Sequence, residues 1–74
     1  MEWNIGDIVQ LDFSQDNFTI MQTCIFENEK HYLIYNLNNV KEMYIIKKMN
    51  EDTNNLKIIK DEEKIDKILE KMAK

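Results

Sequence analysis

Between residues 7 and 13, DIVQLDF, the apolar Val9, Leu11 and Phe13 alternate with Gln10 and Asp12, the period of two expected of a half-buried strand. SQDN (14–17) carries turn chemistry. A second strand is expected over 18–26, FTIMQTCIF, rich in β-branched and aromatic residues. ENEK interrupts the pattern at 27–30, HYLIYNL (31–37) resumes it, and NNV follows as a polar loop. KEMYIIKK (41–48) gives a fourth strand, NEDTNN (50–55) a loop, and LKIIK (56–60) a short fifth strand. The period then changes. In DEEKIDKILEKMAK, Ile65, Ile68, Leu69 and Met72 fall at i, i+3, i+4 and i+7, one apolar stripe of an amphipathic helix over 62–73. Asp61 is placed to cap it, and Glu62 and Glu63 in the first turn with Lys71 and Lys74 in the last suit the helix dipole. The expected fold is α+β: a single domain, 1–74, with a four- to five-stranded antiparallel meander over 7–60 closed by one C-terminal helix.

Two features of this pattern raise questions. The stretch TCIFENEKHYLIY (23–35) contains the chain's only cysteine, Cys24, and only histidine, His31. A hairpin with Asn28 and Glu29 at its tip would set Phe26 opposite His31 and Cys24 opposite Leu33. Cys24 and His31 would then be diagonal neighbours, roughly 7–8 Å apart between α-carbons. A nucleophile–base pair needs hydrogen-bond reach and a third group to orient the base, so a plain hairpin with a small buried cysteine is expected. Secondly, both sheet faces are apolar: Ile20, Cys24, Phe26 and Leu33 on one, Met21, Ile25, Tyr32 and Ile34 on the other, with Met43/Ile45 and Tyr44/Ile46 in strand four. One short helix covers one face. Either the sheet curls into an SH3-like partial barrel or the second face meets another chain.

Composition narrows the function more than it names one. All ten basic residues are lysine, the chain has no proline, and the formal net charge is −4. Residues 1–26 carry Glu2, Asp7, Asp12 and Asp16 and no base. A nucleic-acid binder shows a basic stripe with arginines for bidentate contacts, so direct DNA or RNA binding is not expected. A single glycine, Gly6, excludes a phosphate-cradling loop, and one His with one Cys cannot supply four zinc ligands. No cofactor or metal and no catalytic residue is expected. No stretch approaches the roughly 20 apolar residues of a membrane span, and the N-terminus lacks the basic start and apolar centre of a signal peptide. A cytoplasmic protein is expected.

WNIGDIVQL (3–11) resembles the opening of many SH3-like barrels, with Trp3 as either an end plug or an exposed anchor. The order IVQLD (8–12), the hairpin 23–35, MYIIKK (43–48) and LKIIKDEEKIDKIL (56–69) resembles the YrzB-like family of small bacterial proteins. Tyr32 and Tyr44 match aromatic positions of that family, and Asp61, Glu62 and Glu63 match the acidic start of its last helix. The family's usual glycines in the first two turns are replaced here by Asp16-Asn17 and Asn28-Glu29. The resemblance implies a cytoplasmic protein without cofactor or assigned catalytic residue.

The leading expectation is therefore a non-enzymatic module docking an apolar sheet face on a protein partner or on a second copy of itself. Tyr32, Ile34, Tyr44 and Ile46, with Trp3, are the candidate anchors, because aromatic residues dominate interface energetics. The alternative is an acidic inhibitor that mimics nucleic acid, presenting Glu2, Asp7, Asp12 and Asp16 to a basic cleft.

Overall fold

The computed structural model describes residues 3–11, 14–48 and 56–73. Glu2, Asp12, Phe13, Lys74 and the expected loop at 50–55 lie outside the described residues. Five strands run β1 (Ile8–Gln10), β2 (Asn17–Phe26), β3 (Glu29–Asn36), β4 (Asn39–Lys48) and β5 (Leu56–Ile58), followed by helix α1 (Glu62–Met72). Each strand pairs antiparallel with the next in chain order, a five-stranded meander curled into a half-barrel. The α+β expectation holds.

The turns are tighter than the sequence suggested, and this moves the register. Glu27 and Asn28 form the tip of the β2–β3 hairpin, both with positive φ (52° and 64°). Such a two-residue loop matches the right-handed twist of the strands it joins. Phe26 therefore pairs with Glu29, Ile25 with Lys30 and Cys24 with His31. The expected tip at Asn28-Glu29 was one residue too late, and the pairing of Cys24 with Leu33 is corrected to Cys24 with His31. In the β3–β4 turn likewise, Leu37 and Asn38 suffice, and Asn39 and Val40 already belong to β4.

A bulge at Met21 has larger consequences. Ile20 pairs with Ile34, but the next pair is Gln22 with Leu33, so Met21 is the extra residue. Because side chains alternate with a period of two, the insertion exchanges the two faces of β2. Phe18 and Ile20 lie on one face with Ile34, whereas Gln22 and Cys24 beyond the bulge lie on the other, with Leu33 and His31. The expectation that Cys24 shares a face with Ile20 is thereby overturned. Bulges also bend and overtwist a strand, and the bend lets the sheet close on itself.

The concave face forms the core. Phe18, Ile20, Tyr32, Ile34 and Ile46 are buried there with Val9 and Leu11, and Trp3, Tyr44, Leu56 and Ile58 are packed against them. At the β1 end, Gly6 takes φ +93°, a conformation that favours glycine, and its N–H donates to the Ile20 carbonyl at 2.9 Å. Helix α1 lies across the opposite, convex face, with Ile68 fully buried and Ile65 and Met72 half-buried. Asp61 caps it as expected, its Oδ1 accepting from the Glu63 N–H at 3.0 Å. At the other end, Lys71 Nζ donates to the Ile25 carbonyl at 2.9 Å and anchors the helix to the hairpin.

Candidate functional site

The expected anchors are not a surface. Tyr32 is 3% exposed, and Ile34 and Ile46 are completely buried. Trp3 meets the Tyr32 ring nearly edge-on at 5.3 Å, with Lys48 Nζ 4.3 Å from its own centroid, so it plugs the open end of the curl. Tyr44 tilts against Phe18 at 5.7 Å and donates its hydroxyl to Glu42 Oε2 at 2.8 Å. That bond favours the protonated phenol and raises the Tyr44 pKa above its ordinary value. Curling buries Tyr32, Ile34 and Ile46 of the second apolar face seen in the sequence, whereas Met21 and Ile25 stay exposed. As a correction, Tyr32, Ile34 and Ile46 belong to the folding core, while Trp3 and Tyr44 are half-buried and pack against it.

The two acidic candidates among the described residues, Asp7 and Asp16, are occupied by local structure. Asp7 Oδ2 accepts from the Asn4 N–H at 2.8 Å, and its carbonyl accepts from the Ile20 N–H. Asp16 accepts from Asn36 Nδ2 at 2.9 Å and from Asn38 Nδ2 at 3.1 Å, and these bonds, Asn36 first, lower its pKa below the usual 3.8. Asn36 is 1% exposed and also donates to Glu42 Oε1 at 3.0 Å, while its Oδ1 accepts from the Asn38 N–H at 2.8 Å. This buried amide forms because β4 skips three residues: Tyr35 pairs with Met43 but Asn36 with Asn39. The skipped segment holds Glu42, whose carboxylate reaches Asn36. No residue spacing announced it.

Cys24 and His31 are closer than expected, as direct cross-strand partners. No hydrogen bond joins the two among the described residues, and His31 Nδ1–H instead donates to the Glu29 carbonyl at 2.9 Å. Desolvation raises the Cys24 pKa above its ordinary value, a shift the Lys71 charge only partly offsets. Thiolate is the reactive form. Native protein is expected to react with a thiol reagent such as Ellman's reagent more slowly than the same chain in denaturant, checked by absorbance stopped-flow at one pH. Equal rates would mean an accessible, activated thiol.

What the surface does offer is an open apolar groove of about 730 Å³ on the convex side, between β4, β5 and α1. Leu33, Met43, Ile45, Ile58, Ile65 and Leu69 line it. Met43 and Leu69 are 47% and 40% exposed. Lys60 and Glu62 stand at its polar margin. The missed signal was Leu69: it belongs to the apolar stripe of α1 yet turns outward, since a stripe of four residues is wider than the strip of sheet it covers. No group of three or more His, Cys, Asp or Glu able to hold a metal occurs among the described residues, and none of their helices is long and apolar enough to cross a membrane. Compared with protein-family models, with curated proteins and with solved structures, the chain matches none.

Proposed function

We propose that the protein is a non-enzymatic interaction module that docks an apolar segment of a partner protein in the groove between β4, β5 and α1. The observation that carries this reading is the open groove itself, apolar along its floor and both walls. Sites for small molecules are enclosed enough to bury most of the ligand, whereas a trough open along its length suits a helix or extended segment laid into it. Met43 adds a flexible side chain able to fit different partner shapes. Membership of the YrzB-like family and a cytoplasmic location are parts of the same proposal. The nucleic-acid mimic is the weaker reading, because Asp7 and Asp16 are already engaged by Asn4, Asn36 and Asn38.

The test uses Met43→Asp with Leu69→Asp, two exposed positions where a charge costs the isolated fold little but would be buried in the complex. Capture from a lysate of the producing organism is expected to yield a stoichiometric partner with the wild type. Retention should fall about tenfold or more with the double variant, whose circular dichroism and thermal midpoint stay unchanged. A control, Ile8→Asp, lies at the other end of the sheet and should retain the partner. Equal capture by the groove variant would sink the reading, and a partner that is only a second copy, seen by sedimentation, would replace it with a homodimer.

A further inference from the structure

On the other flank of α1 lies a cleft of about 360 Å³, bounded by the β2–β3 tip, β4, β5 and the start of the helix. Its back wall is a basic row. His31 of β3 pairs with Lys47 of β4, and Lys47 pairs with Lys57 of β5, so the three side chains stand side by side across three strands. Like charges directly opposite in a sheet are destabilising, and a chain of net charge −4 has set two lysines face to face here.

Lys47, Lys57, Lys60 and Lys64 line the cleft against Glu27, Glu29 and Asp61, and the acids are already engaged. Glu29 pairs with Lys47 at 3.0 Å, a hydrogen bond and charge that hold its carboxyl below the ordinary range, with a smaller contribution from Lys57. Glu27 lies 4.0 Å from Lys64, and Asp61 is spent on the helix cap. Lys57 and Lys60 make no ion pair among the described residues. His31 supplies a second kind of group. It is 3% exposed and lines the cleft, and with Nδ1–H donated to the Glu29 carbonyl, Nε2 has no hydrogen-bond partner among the described residues.

We propose that this cleft binds a phosphate group that still carries a proton. Lys57 and Lys60 donate to its anionic oxygens, and His31 Nε2 accepts from its P–O–H. Lysine is a common phosphate binder acting as a point charge. The acceptor nitrogen selects among anions. Hydrogenphosphate near neutrality has an O–H to give, whereas sulfate and carboxylates have none and would leave Nε2 unmatched. The cleft is larger than one phosphate ion needs, so free phosphate and a phosphate ester share this chemistry.

His31 is the sole histidine, so its ring Hε1 resonance is a unique reporter. Inorganic phosphate titrated at pH 7 and low ionic strength is expected to shift it saturably, with sulfate binding about tenfold more weakly. The double variant Lys57→Gln/Lys60→Gln should bind phosphate about tenfold more weakly and remain at least as stable, since it removes a like-charge contact. Methyl phosphate titrated beside inorganic phosphate under the same pH 7 conditions separates the sources: tighter binding than inorganic phosphate assigns the site to an ester, weaker binding to the free ion. Equal saturation by phosphate and sulfate would mean an adventitious ion only. That result, absence of a saturable shift, or undiminished affinity in the double variant would each overturn the proposal.

Discussion

Ile34→Ala is expected to lower the free energy of unfolding by about 3 kcal/mol, the middle of the range for deleting a fully buried isoleucine. Ile34 lies between Ile20 and Tyr44 in the register, on the concave face of the curl. Removing its outer carbons leaves a cavity ringed by β-sheet backbone, which relaxes little. A chain of 74 residues holds roughly 4–11 kcal/mol in total, so the variant should be marginal at 37 °C. Tyr32→Ser acts on the same core and also removes the ring against which Trp3 packs. Urea denaturation followed by Trp3 fluorescence measures both. If either variant unfolded at the wild-type midpoint, the curl would be wrong, and those side chains would be free to serve as the interface their composition suggested.

The second large effect concerns Asn36→Asp. In the wild type the Asn36 amide donates to two carboxylates, Asp16 and Glu42. Hydrogen bonds to charged groups contribute about 1.5–3 kcal/mol each, and the substitution replaces a shared donor by a third carboxylate. A loss of about 3 kcal/mol or more is expected at pH 7. The pH dependence then inverts. Asp16 of the wild type has a folded pKa below its unfolded value, so its contribution is fully present above about 3.8 and is lost as pH falls through the lower folded value. In the variant the crowded carboxylates favour protonation in the folded state, so stability should rise as pH is lowered from 7 towards 5. Denaturation midpoints at pH 7 and pH 5 check this, and a parallel fall in both proteins would show that Asn36 does not hold the two acids together.

Local pattern was legible where one element decided it. The stripe of Ile65, Ile68 and Met72 and the cap at Asp61 needed only helix geometry, and both are found in place. Strand positions followed from alternation and β-branched content. Register did not. The Met21 bulge leaves no mark in IMQTC, yet it decides that Cys24 faces α1 rather than the core. The anchors were misassigned for a related reason. A sheet with two apolar faces either curls or binds, and the choice rests on twist and bulges accumulated over five strands rather than on any one residue. The groove was hidden because Leu69 and Met43 come from segments that only the closed fold brings together. The row His31–Lys47–Lys57 likewise exists only through the pairings of β3, β4 and β5.

Amide chemical-shift mapping tests the convex groove as the docking surface most directly. The isotope-labelled protein would be titrated with the partner recovered by the wild type. The prediction is that the largest changes fall on Met43, Ile45, Ile65 and Leu69, with Asp7 and Asp16 unmoved. Changes concentrated on the acidic β1–β2 end, with the groove silent, would contradict it and restore the nucleic-acid mimic.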